Sequence, residues 1–187
     1  SREAQERAHA FLYTQARPLE SAFYAYGFEG GSREAVFREL AALQNPDGGF
    51  GHGMEPDLQL ADSSVLCTTI GLQHLRALGA SSEHPLVQGA MGYLLRSYDA
   101  EQKVWLLVPS NTDDAPHAPW WSAPTTPPTK GGFLVNPRAE IVGYLWEHAD
   151  LVPAELRDDL TEAVISHLDE VTELPMGDDL LCYLRLA

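Results

Sequence analysis

The chain has 187 residues, with 12 Lys and Arg set against 27 Asp and Glu, a net charge of −15 at neutral pH. Hydrophobic residues make up 44% and charged residues 21%, which excludes a disordered chain and predicts a single domain with its own core over 1–187. The acidic excess repels polyanions, which excludes nucleic acid as a partner, and no apolar run approaches the roughly 20 residues of a membrane span. Cys67 and Cys182 lie far apart in apolar helical runs. That usage predicts buried free thiols, a reducing compartment and hence a cytoplasmic protein. The opening residues are charged, with no apolar stretch of a secretion signal behind them. The last apolar run, Leu180 to Ala187, carries no helix stop, so the native chain is expected to continue.

In chain order, the pattern predicts a first helix over 2–16 and a second opening at Pro18, with Leu19, Phe23 and Tyr26 on one face. Gly30-Gly31 stops it. Ser32 caps a third helix, 33–43, whose stripe is Val36, Phe37, Leu40 and Leu43. A Gly- and Pro-rich loop runs from Gln44 to Ala61. Asp62 or Ser63 is expected to cap a fourth helix ending at Gly79. Its apolar residues, Leu66, Cys67, Ile70, Leu72, Leu75 and Leu78, point in several directions, so burial on most sides is expected.

His84-Pro85 opens a fifth helix, about 84–98, that buries Val87, Met91, Leu94 and Tyr98. A proline-rich loop, 99–135, follows and carries Trp120-Trp121. Asn136-Pro137 opens a sixth helix. A seventh, 153–172, sets Leu156, Leu160, Ala163, Val164, His167 and Val171 opposite Asp158, Glu162 and Asp169. Gly177-Asp178 opens an eighth. No run alternates convincingly enough to read as a strand. Amphipathic helices thus alternate with helices that read as buried. Two concentric layers of helical hairpins account for that alternation.

The stretch from Leu40 to Gly51, Leu-Ala-Ala-Leu-Gln-Asn-Pro-Asp-Gly-Gly-Phe-Gly, is similar to the Gln-and-aromatic repeat of terpene cyclases such as the squalene-hopene cyclases. The chain also resembles protein prenyltransferases and the uncharacterised bacterial proteins called prenyltransferase-like. Phe50 stands where the repeat usually has Trp, and Gly48-Gly49 permit its turn. Fainter copies lie at Tyr98–Trp105, with Gln102, and at Glu173–Asp178. The resemblance implies an all-α fold, an α/α toroid of tandem helical hairpins. A complete ring of this superfamily has more hairpins than the roughly four read here, so an open, partial ring is expected. The catalytic motifs do not carry over. The Asp-x-Asp-Asp acid of the cyclases is missing, and Asp178 and Cys182, four apart, depart from the prenyltransferase zinc pattern.

In such a ring the loop His52 to Asp62 opens onto the central cavity, which singles out Glu55, Asp57 and Asp62 as candidate catalytic acids and His52 as a candidate binding residue. Asn136, Arg138 and Glu140 on the sixth helix, and Asp178 and Asp179 on the eighth, are expected at the same end. Asp62, Asn136 and Asp178 also qualify as simple helix caps. Trp120 and Trp121 suit sugar stacking, a cover over an isoprenoid, or a lid folded over an inter-helix groove. Asp158-Asp159-Leu160-Thr161-Glu162 imitates an acidic terpene-synthase motif but falls on a solvated face. His167 reads as a core histidine. The other histidines, among them His9, His74, His84 and His148, have no metal-ligand spacing. No metal site is expected, and no cofactor fingerprint appears; Gly30-Gly31 and Gly131-Gly132 read as punctuation.

Three functions compete. The first is an enzyme or binder acting on an isoprenoid-like ligand, which predicts a deep apolar cavity with an acidic rim. The second is a carbohydrate-active enzyme on the same scaffold, which predicts facing carboxylates. The third is a non-catalytic helical-repeat binding protein that forms a homodimer through its open edges.

Overall fold

The computed structural model describes residues 2–122, 135–173 and 177–187. The later prolines of the long loop, Gly131-Gly132 and residues 174–176 of the third repeat lie outside the described residues. The described residues are mostly helical: α1 (Arg2–Thr14), α2 (Pro18–Phe28), α3 (Arg33–Ala41), α4 (Val65–Ala77), α5 (Pro85–Ser97), α6 (Val135–Glu147), α7 (Ala154–Glu170) and α8 (Gly177–Leu186). The strand missed by the sequence reading is a small hairpin, β1 (Tyr98–Asp99) against β2 (Val104–Trp105), with Tyr98 opposite Trp105. It takes Tyr98, expected as a buried residue of the fifth helix, into a half-buried strand position, and its other residues from the expected loop; two-residue strands are too short to show alternation. The chain divides into two compact units, Ser1–Leu43 and Gln44–Ala187.

In the first unit, α1 buries no residue. It meets α2 through rings: His9 lies 4.8 Å from Tyr13 and 5.9 Å from Tyr24, and Tyr24 lies 5.3 Å from Phe28. Glu29 accepts the Tyr13 hydroxyl and pairs with His9 at 3.1 Å. The expected cap holds at α3, where Ser32 Oγ accepts from Ala35 N at 3.2 Å. Val36 and Leu40 are the buried stripe of α3.

In the second unit, α4, α6 and α8 run parallel. Gln73 meets Glu140 at 2.8 Å, and one turn on Arg76 meets Glu147 at 3.1 Å. Glu140 lies 3.9 Å from Cys182 Sγ, and one turn on Gly143 lies under the backbone of Arg185 and Leu186. Residue numbers therefore rise together along both pairs, so all three helices begin at one end. The intervening helices return antiparallel. On α7, Arg157 stacks 4.0 Å from the Trp146 ring, and Trp146 Nε1 donates to Thr161 Oγ1 at 2.9 Å. Near the other end of α7, His167 bonds the Tyr183 hydroxyl of α8 at 2.9 Å. α5 turns back from α4 at Gly79 (φ +67°), and its last turn brings Arg96 to the carbonyl of Asp47.

Burial follows this layout. α4 buries Val65, Cys67, Thr68, Thr69, Gly71, Leu72 and Leu75, around most of its circumference. Ala139, Ile141, Val142, Tyr144 and Leu145 of α6 are equally enclosed. α7 buries only Leu160 and Val164. α8 departs from the buried pattern, because Leu180, Leu181 and Leu184 remain exposed.

The Gln44–Gly51 turn shows why its residue types are needed. Gln44 Nε2 donates to Gly48 O and to Leu86 O at the head of α5, both at 2.9 Å. Gly48 has φ +83°, and a Cβ there would sit 2.3 Å from Gly89 O. Phe50 is completely buried and lies on Gly71 of α4, where a Cβ would come 2.6 Å from its ring. The cap of α4 is Ser64, whose Oγ accepts from Cys67 N at 3.0 Å, rather than Asp62 or Ser63. Ser63 is committed elsewhere: its hydroxyl donates to Asp47 at 2.7 Å. Trp105 occupies the faint second copy, buried, with Nε1 donating to Leu94 O at 2.7 Å.

Candidate functional site

α4, α6 and α8, which begin at one end, enclose a cavity of about 250 Å³. Leu66, Thr69, Ile70 and Gln73 line it from α4, and Asn136 and Glu140 from α6. Asp178, Leu181, Cys182 and Arg185 line it from α8, while Glu55 and Trp121 enter from loops. Five of the candidates read from the sequence are thus brought together: Glu55, Trp121, Asn136, Glu140 and Asp178. Asp178 and Cys182, four apart on α8, share one helix face and both line the cavity.

Glu140 is almost fully buried. Its Oε1 accepts from Gln73 Nε2 at 2.8 Å and from the Tyr144 hydroxyl at 2.5 Å. Its Oε2 accepts from Arg185 at 2.9 Å and lies 3.9 Å from Cys182 Sγ. Burial, then the adjoining Glu140 charge, push the Tyr144 phenol far above its ordinary range and the Cys182 thiol up to about 12. A carboxylate holding donors from α4, α6 and α8 is a brace across three helices. Its lone pairs are committed, so it forms a wall of the cavity rather than a reacting group.

Asp57 does not line the cavity. Its Oδ1 accepts from Trp121 Nε1 at 2.6 Å, and its carbonyl accepts from Ala118 N at 2.8 Å. That contact occupies one oxygen of the Asp57 carboxylate. The two tryptophans separate: Trp121 enters the wall, whereas Trp120 is 62% exposed.

Four further candidates stand apart. His52, in a left-handed conformation at φ 55°, bonds Asn45 Oδ1 at 2.9 Å within its own loop. Asp62 accepts from Asn111 at 2.6 Å and is exposed. Arg138 turns to the Lys103 carbonyl at 2.6 Å, under the β1–β2 hairpin, and burial lowers its pKa. Asp179 is outside the lining; partial burial, followed by the neighbouring Asp178, raises its carboxyl pKa.

The sequence reading missed Thr69, Gln73 and Arg185. The available signal was a Gln within the apolar α4 run, at a position that a buried helix fills with a polar group only when a partner awaits it. Among the described residues no three His, Cys, Asp or Glu side chains gather as a metal site, and no helix is long and apolar enough to cross a membrane. Compared with known protein families, curated proteins and solved structures, the chain matches none.

Proposed function

We propose that this chain is a partial α/α toroid, of the prenyltransferase-like kind, whose cavity binds a small carbohydrate and presents Glu55 to it as the acid. The toroid reading is supported by the Gln44–Gly51 turn and by three parallel helices separated by antiparallel returns. The observation that carries the ligand class is the lining. Glu55, Asp178, Asn136, Gln73 and Thr69 line it together with a single indole, Trp121, although Gln73 Nε2 and the Thr69 hydroxyl already donate to Glu140 and to Leu66 O. A hydroxyl-rich ring offers such a set hydrogen bonds, whereas an isoprenoid chain displaces water from it and returns none. A general acid paired with a second carboxylate is also the equipment of glycoside hydrolysis.

The isoprenoid reading keeps one favouring feature, the apolar strip of Leu66, Ile70 and Leu181. Calorimetric titration with methyl glycosides of glucose, galactose and mannose, beside farnesyl diphosphate, separates the two. Saturable binding of a glycoside, weakened in Glu55→Gln, is the expected result. Binding of farnesyl diphosphate with no response to any glycoside sinks the carbohydrate reading. Incubation with aryl glycosides then distinguishes a hydrolase from a binding protein.

A further inference from the structure

Residues 56–59 and 116–122 form a clamp beside the cavity. Gln59 N donates to Pro116 O at 2.9 Å, Ala118 N donates to Asp57 O at 2.8 Å, and Leu58 bridges His117 antiparallel. The second segment is tied to itself as well. His117 Nδ1 lies 2.7 Å from Ala115 O, its Nε2 lies 2.9 Å from Ser122 Oγ, and Trp121 N donates to Ala118 O at 2.9 Å. Asp57 therefore holds this segment twice. Its carbonyl fixes the backbone at Ala118, and its carboxylate fixes the rotation of the Trp121 ring through Nε1 at 2.6 Å.

An indole has one N–H to donate, so a single acceptor sets its orientation, and a carboxylate makes that bond charge-assisted. Trp120 supplies the contrast. It is next in the chain, and it projects into solvent at 62% exposure.

The geometry points to Asp57 as a positioning residue that presents the Trp121 indole to the cavity as a stacking platform for the apolar face of a pyranose ring. The ligand in this statement rests on the carbohydrate reading above; the Asp57–Trp121 relationship does not. An aromatic platform discriminates between sugars by which ring face carries C–H bonds rather than hydroxyls. Trp121 is accordingly the specificity-determining residue, and Asp57 acts through it.

The test uses the indole ¹H–¹⁵N resonances of the whole chain, with Trp121 assigned by its loss in Trp121→Phe. In Asp57→Ala the Trp121 resonance shifts upfield and its N–H exchanges faster with solvent. In Asp57→Asn, which keeps an acceptor oxygen, both changes are largely reversed. Titration with the same methyl glycosides moves this resonance in the native chain and in Asp57→Asn. Affinity falls about tenfold in Asp57→Ala and in Trp121→Ala, the loss of one stacking contact.

An unchanged Trp121 resonance and exchange rate in Asp57→Ala overturn the positioning role. So does an Asp57→Asn variant whose Trp121 resonance and exchange match the native chain while its affinity falls as far as in Asp57→Ala, because Asp57 then does not act through Trp121. A native chain that binds no glycoside ends the carbohydrate reading and the platform with it, while the indole exchange data still decide whether Asp57 holds Trp121.

Discussion

The Glu140 carboxylate meets the Arg185 guanidinium at 2.9 Å, at the place where α4, α6 and α8 come together. Glu140 is nearly fully buried, whereas the Arg185 side chain is 36% exposed. The pair is therefore unequal. Removing Arg185 strands a charge in the interior, while removing Glu140 frees an arginine that reaches water. Arg185→Met should cost about 2 kcal/mol in urea unfolding, and Glu140→Gln in the Arg185→Met background should recover about half of it. Purely additive effects in that double-mutant cycle contradict the brace.

Gly48 should not tolerate a side chain. Its positive φ and the Gly89 carbonyl, 2.3 Å from where a Cβ would stand, act together. Gly48→Ala is expected to lose about 2 kcal/mol or more, by strain and by displacement of α5. Phe50→Ala is expected to lose about 3–5 kcal/mol, as a filled space on Gly71 becomes a cavity. Thermal unfolding of both variants measures this, and Gly89→Ala should cost less than Gly48→Ala, because its Cβ would meet the Gln44 side-chain amide at 2.9 Å from a backbone without positive φ.

His148 introduces a pH dependence. Its Nδ1 lies 3.1 Å from Ser82 Oγ, whose hydroxyl donates to Asp150 at 2.7 Å. Burial lowers its pKa below the ordinary 6.5. The unfolded chain therefore binds this proton more readily than the native one. The contribution of His148 is complete above about pH 6.5 and is lost as pH falls toward the depressed native value. Between about pH 7.5 and 5 the native chain should lose more stability than His148→Asn does. Parallel stability curves for the two proteins remove His148 as the cause.

Both thiols should be silent in the folded protein. Cys67 and Cys182 are buried and not joined by a disulfide, and the Cys182 thiol is pushed up to about 12. At about pH 8 only a trace of Cys182 is thiolate, so an aromatic disulfide reagent should react slowly with the native chain and with both cysteines once urea unfolds it. Rapid labelling of Cys182 in the native state contradicts the buried position at the cavity wall.

Much of the site was legible because helix starts are legible. A capping residue located the start of α4, and Pro and Gly punctuation those of α6 and α8; Glu55, Asn136, Glu140 and Asp178 gather once those helices converge. Side-chain direction was not legible. Arg138 is two residues from Glu140 on the same helix, yet it turns to the Lys103 carbonyl, a partner 35 positions away in sequence. Asp57 sits close to Glu55 in the loop, yet it is drawn to Trp121, 64 positions on. The cap of α4 is Ser64 rather than the expected Asp62 or Ser63: Asn111 takes the Asp62 carboxylate and Asp47 the Ser63 hydroxyl.

By itself, the amino-acid sequence determined the helical class, the order of the helices and the Gln44–Gly51 turn. These follow from periodicity, capping and glycine conformation, which act over a few residues. Tertiary structure alone decided which polar groups face the cavity, which are consumed as braces and that Trp121 rather than Trp120 forms the wall. Those outcomes depend on hydrogen bonds between segments far apart in the chain, and a buried polar group takes whichever partner the packed helices bring within reach.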